Sequence, residues 1–253
     1  MRLTVCQLRT APVALEQDWT GLVEHVTSER SDLVVLPELG FAPWFAAQRP
    51  GSDARTVWAD AVTSHERWLQ RLDELPAAVL GTRPVDRVGG RRNEAYAADA
   101  GAAPRPLHAK SYLPDEPGFW EASWYGRGDG GHEVVEVGGL RAGVLVCTEL
   151  WFLEHARAYG RAGAHVVATP RVTPAYSLDK WLAGGRVCAV VSGAWSLSSN
   201  SADPEHGGLG WAVDPEGVVV ATTSRDEPFA TVEVDLEQVD AAKSAYPRYV
   251  PEL

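Results

Sequence analysis

Asp32-Leu33-Val34-Val35-Leu36-Pro37-Glu38 is the stretch on which the fold reading turns. Leu33 to Leu36 is apolar without alternation, too short for a helix and bounded by Pro37. That is the pattern of a strand buried on both faces. A second run, Leu140-Arg141-Ala142-Gly143-Val144-Leu145-Val146, reads the same way and leads into Cys147-Thr148-Glu149. Between and around these runs lie helical patterns. Leu15, Trp19, Leu22, Val23 and Val26 form one stripe over residues 15–30, and Trp58, Val62, Leu69 and Leu72 do so over 53–75. Further strands are expected over 3–8, 78–82, 94–98, 165–168, 194–198 and 229–234, with a helix near 152–161 and another over 178–190. Hairpins are expected at Gly138-Gly139, between 132–137 and 140–146, and at Asp214-Pro215-Glu216-Gly217, between 209–213 and 218–222. The loop-like stretches are 87–92, 101–106 and 115–131. Strands alternating with helices, together with hairpins, give an α/β fold with mixed sheets.

Composition narrows the class. The chain has 253 residues, 45% hydrophobic and 23% charged, which fits a globular domain and excludes disorder. A net charge of −11 argues against binding nucleic acid or an anionic membrane. No run is long enough for a membrane helix, and the first twelve residues are too polar for a secretory leader. Cys6, Cys147 and Cys188 are odd in number and widely spaced, which suits a reduced cytoplasmic chain. The seven histidines show no metal-ligand spacing, and no glycine-rich phosphate loop is present, so neither a metal nor a cofactor is expected. Only Lys110, Lys180 and Lys243 are lysines among 23 cations, which draws attention to each as a compact ammonium rather than a fork.

Reactive groups in α/β sheets collect where strands end. Here Glu38, Cys147 and Arg171 sit at three expected exits. A thiol is mostly protonated at neutral pH and needs a base or a cation, which Glu38 and Lys110 could supply. The bland reading of each is a core thiol or a surface carboxylate, and Cys6 and Cys188 are read as core.

Three segments then resemble the nitrilase superfamily of carbon–nitrogen hydrolases: 32–38 its base motif, Lys110-Ser111-Tyr112-Leu113-Pro114-Asp115 its lysine motif, and 143–152 its nucleophile motif. Pro117-Gly118-Phe119-Trp120-Glu121 is similar to the loop carrying the family's second glutamate, with Glu116 as the rival position. Ala109, Glu149 and Leu153 depart from the commoner residues, and no arginine pair follows Cys147, which disfavours hydrolases of D-carbamoyl amino acids.

The resemblance implies a four-layer αββα sandwich of two mixed sheets, one domain over 1–253, and hydrolysis of a small-molecule amide, carbamoyl or nitrile through a cysteine thioester. It assigns Cys147 as nucleophile, Glu38 as base, Lys110 as oxyanion donor with the Thr148 backbone, and Glu121 as the orienting carboxylate. Trp44, Trp151 and Arg171 are candidate substrate contacts, and a homodimer is expected. The alternatives are acyl transfer to an amine or alcohol, a cysteine–histidine hydrolase using His108 or His132, and a catalytically silent ligand-binding homologue.

Overall fold

Strand β1 (Arg2–Leu8) is buried along almost its whole length, and α1 (Pro12–Glu29) lies against it through Leu15, Trp19, Leu22 and Val26. Pro12 opens α1, where its missing N–H costs nothing, and Arg30 closes it in the left-handed region at φ 51°. Then follow β2 (Leu33–Val35), α2 (Ala54–Leu69), and the long hairpin of β3 (Ala78–Arg87) and β4 (Gly90–Ala98). Strand β5 (Arg105–Ala109), the short helix α3 (Glu121–Trp124), β6 (Val135–Val137) and β7 (Leu140–Val144) complete the first part. The second part runs α4 (Leu153–Arg161), β8 (Val166–Arg171), α5 (Leu178–Ser192), β9 (Trp195–Ser201), β10 (Trp211–Val213), β11 (Val219–Thr222), β12 (Phe229–Glu233) and α6 (Leu236–Ala242). The computed structural model describes residues 1–251; Glu252 and Leu253, the end of the domain expected over 1–253, lie outside the described residues.

Two mixed sheets result. In one, the order is β5-β4-β3-β2-β1, with β12 antiparallel on the other edge of β1. In the other, β6-β7-β8-β9 continues into β10 and β11. They join where Gln7 and Leu8 of β1 pair with Asn200 and Ser201 of β9. Their inner faces meet through Leu3, Val5, Val35 and Leu80 on one side and Val144, Val146, Ala168 and Leu197 on the other. Helices α1 and α2 cover one outer face through Trp19, Leu22 and Trp68; α4 and α5 cover the other through Ala156, Tyr159, Cys188 and Ala189. This is the expected αββα arrangement. No helix among the described residues is long and apolar enough to cross a membrane.

The expected 53–75 helix is α-helical only to Leu69 and continues as a 3-10 turn over Gln70–Glu74. The stretch 87–92 is not a loop: β3 and β4 pair out to Arg87 and Gly90. Residues 101–106 already contain the start of β5, and 115–131 contains α3. Strand β8 runs past the expected exit at Ala168, through Pro170, to Arg171. Pro170 is tolerated because pairing with β7 ends at Val144–Ala168, so the side its missing N–H would face is already vacated. The Gly138-Gly139 turn is as expected, with φ 56° and 74°, the two positive values that a tight hairpin turn requires.

Trp19 is wholly buried and packs edge-on against Phe41 and Trp68. Trp19→Ala should lower the unfolding free energy by about 3–5 kcal/mol in denaturant titration, the usual cost of emptying an aromatic core position.

Candidate active site

Glu38 follows β2, Lys110 follows β5, and Cys147 follows β7, so three separate strand exits bring these side chains inward. Cys147 sits at φ 47°, a left-handed conformation rare for a residue with a Cβ and costing about 1–2 kcal/mol. The turn places the thiol in the inner layer between the sheets, with Sγ 3.9 Å from the Val172 carbonyl oxygen. Lys110 is fixed by its backbone: its N–H donates to the Asn93 carbonyl at 2.8 Å, and its carbonyl accepts from Gly128 at 2.9 Å. A Cβ at Gly128 would lie 2.0 Å from the Ala109 carbonyl oxygen, so only glycine allows that approach.

The Lys110 ammonium donates to Glu38 Oε1 at 2.8 Å and to Glu121 Oε2 at 2.7 Å. All three side chains are essentially without solvent exposure. Asn93 Nδ2 also donates to Glu38 Oε1, at 2.8 Å, and Tyr125 Oη donates to Glu121 Oε2. An ammonium has three protons, so one remains unengaged among the described residues. Glu38 Oε2, Glu121 Oε1 and Asn93 Oδ1 are likewise buried without a partner.

Charge balance follows from burial. Desolvation works against the Lys110 ammonium, but Glu121, Glu38 and Cys147 outweigh it and push its pKa up, so it stays charged. Burial pushes Glu121 up to about 7, with Lys110 opposing and Glu38 adding to the rise. Burial and Glu38 push the Cys147 thiol up against the pull of Lys110, so it rests protonated at neutral pH. The arrangement is a protonated thiol beside a fixed cation and a carboxylate with one free oxygen.

Residues 2–244 match the family described as carbon-nitrogen hydrolase. The chain belongs to this family. An N-carbamoylputrescine amidase of Solanum tuberosum is 26% identical over 178 residues, covering 62% of this chain and 59% of that protein. The chain thus spans less than two thirds of that relative's length. A 2-oxoglutaramate amidase of Bacillus subtilis is 25% identical over 87% of this chain and 84% of its own. The carbon-nitrogen hydrolase structure from Helicobacter pylori superposes with a TM-score of 0.87 at 20% identity, over 98% and 94% of the two chains.

Within this member of the carbon-nitrogen hydrolase family, Glu121 rather than Glu116 reaches Lys110; Glu116 is exposed and pairs through its backbone with Phe119. Thr148 is half-buried on the turn after Cys147. Trp44 donates from Nε1 to the Gly118 carbonyl at 2.9 Å and so braces the segment leading to Glu121. Trp151 is 37% exposed, beside Trp181. Arg171 touches this set: its carbonyl accepts from Glu38 N–H at 3.3 Å, and its guanidinium lies within electrostatic reach of Cys147. It is fully buried on the outer face of its sheet, its nitrogens donating to Ser198 Oγ, Thr173 Oγ1 and the Leu209 carbonyl at 2.6–2.7 Å, with Trp211 stacked at 4.0 Å. Burial pulls its pKa down to about 9, against a smaller opposing effect from Cys147.

Two features escaped the sequence reading. Asn93 and Tyr125 hold the carboxylates from β4 and from just beyond α3. Glu149, noted only as a departure from the commoner residue, accepts from Ser111 N–H at 2.7 Å through Oε1 and from Val146 N–H at 2.8 Å through Oε2. It therefore ties the backbone next to Lys110 to the backbone next to Cys147. The histidines show no metal-ligand spacing along the chain, and no ligand cluster is expected from it; in the fold His108, His132 and Glu149 do cluster, because β5, the loop before β6 and the turn after β7 converge. Burial works against the Glu149 charge, but His108 and the Ser111 N–H more than offset it and hold its pKa below the ordinary value.

Between the ordinary carboxylate value of 4.5 and about 7, the folded chain keeps a proton on Glu121 that the unfolded chain has released. Stability from this group is therefore present at low pH and lost as pH rises through that window. Glu121→Gln should remove the slope, measured as unfolding free energy at a series of pH values; an unchanged slope would contradict the assignment.

Proposed function

We propose that this chain hydrolyses the carbon–nitrogen bond of a small-molecule amide through a thioester on Cys147. The observation that carries the reading is the buried Lys110 held between Glu38 and Glu121, with all three close enough to Cys147, a strained and buried cysteine, to act on its thiol. The amidase names of relatives aligned over most of this chain support an amide rather than a nitrile.

The chemistry follows from the free valences. Cys147 Sγ attacks the carbonyl carbon while its proton passes to Glu38 Oε2, the oxygen without a partner. The carbonyl π electrons move to oxygen, and the third Lys110 proton, with the Thr148 N–H, stabilises that oxyanion. The C–N bond then breaks as Glu38 returns the proton to nitrogen, releasing ammonia or an amine and leaving an acyl thioester. Water, giving its proton to Glu38, attacks the thioester and the thiol is restored with a free carboxylic acid. Glu121 keeps the ammonium in place. Trp44 and Trp151 are proposed to border the substrate. Arg171 has less support as a carboxylate grip, since its nitrogens are already engaged by the protein. Pairing of two copies, a single catalytic domain and action in the cytoplasm are carried in this proposal from the family resemblance.

The test is ammonia release from a panel of small amides. Cys147→Ala and Cys147→Ser should each lower kcat/KM by about 10³-fold or more. Lys110→Arg, which keeps the charge but replaces a compact donor by a fork, should cost about 10²–10³ in kcat. Full turnover by Cys147→Ala would overturn the reading.

A further inference from the structure

His132 is the most conspicuous unsatisfied group behind the site. Its side chain is 4% exposed, yet neither ring nitrogen has a hydrogen-bond partner, and both are buried. Leaving both nitrogens of a buried imidazole unpaired is unfavourable, and a ligand between them and Glu149 would relieve it. Its Nε2 faces Glu149 Oε1 at 4.0 Å, too long for a hydrogen bond. His108 Nε2 lies 2.9 Å from Glu149 Oε2. One ligand-capable atom from each of the three residues falls within 4.8 Å of the others.

We propose that His108, His132 and Glu149 form a binding site for a divalent first-row transition metal ion of the zinc type. Two imidazoles and a carboxylate are a borderline nitrogen–oxygen donor set, suited to such an ion rather than to magnesium or calcium. With metal–ligand bonds of about 2.0–2.2 Å, atoms in a tetrahedral shell stand roughly 3.3 Å apart. His108 Nε2 stands 2.9 Å from Glu149 Oε2 and His132 Nε2 4.0 Å from Glu149 Oε1, and all three ligand atoms lie within 4.8 Å, so side-chain adjustment draws them onto one ion. On binding, the metal takes the place of the hydrogen bond between His108 Nε2 and Glu149 Oε2, and any proton held there is released to solvent. Three protein ligands leave a fourth position for water. His155 packs tilted against His132, with ring centres 4.0 Å apart, and is bonded to Tyr112 Oη at 2.8 Å.

The ion would cross-link the end of β5, the loop before β6 and the turn after β7. These segments carry Lys110 and Cys147, so the metal would fasten the frame of the reacting groups without touching the thiol. The proposal stands independently of the hydrolytic reading.

The thiol of Cys147 is itself a soft metal ligand, so the test uses Cys147→Ala. The full-length chain is stripped with chelator and titrated with Co²⁺ alone, then with Zn²⁺ in competition. The expected result is one ion per chain, with ligand-field absorption and no sulfur-to-cobalt charge-transfer band, and a higher unfolding temperature with Zn²⁺. Adding His132→Ala, or the near-isosteric His132→Gln should the alanine variant fold poorly, should weaken binding at least tenfold. His25→Ala should bind as tightly as the parent. Absence of binding in Cys147→Ala, or equal affinity after loss of His132, overturns the proposal.

Discussion

An ammonium ion cannot sit inside a protein alone; left unpaired, it costs several kcal/mol or gives up its proton. Lys110 has no solvent exposure, and much of the molecule serves that one charge. Two carboxylates from different segments close on it at 2.7–2.8 Å. Two anions around one cation would leave a surplus negative charge, and burial relieves it by lifting Glu121 toward a protonated state near neutrality. The same surroundings keep the Cys147 thiol protonated until a base acts. The protonated thiol and the charge balance around Lys110 thus arise from one buried network.

That network needs a rigid frame, and the sandwich supplies it. Glu38, Lys110 and Cys147 stand at the ends of β2, β5 and β7, which belong to two facing sheets. Joining the sheets through Gln7–Asn200 and Leu8–Ser201 fixes their relative position. Glu149 then binds the two most sensitive backbones together by accepting from Ser111 and Val146. Its partner His108 links this clamp to the histidine cluster behind Lys110 and Cys147.

Much of this was legible in the sequence. Strands β2 and β7 announce themselves because strands buried on both faces are apolar without alternation. Glu38 and Cys147 stand out at the ends of such strands, and Lys110 as one of three lysines among 23 cations. Strand β5, Arg-Pro-Leu-His-Ala, was hidden because it is short, polar and carries a proline. Helix α3 is a single turn inside a glycine-rich stretch. Helix α6 did leave a signal, the Asp235 cap that accepts from Glu237 N–H at 3.0 Å, which was passed over. Asn93, Tyr125 and Glu149 meet their partners only through the tertiary fold, and no spacing along the chain encodes that. The histidines show the same effect, distant in sequence and gathered in space.

The central claim is that the Cys147 sulfur becomes acylated during turnover. Intact-mass measurement of the chain, quenched during reaction with an amide substrate, tests it most directly. The account predicts added mass equal to the acyl fragment, mapped to the peptide containing Cys147 and absent from Cys147→Ala. Turnover with no acylated chain at any quench time, or acylation at Cys6 or Cys188 instead, would contradict it.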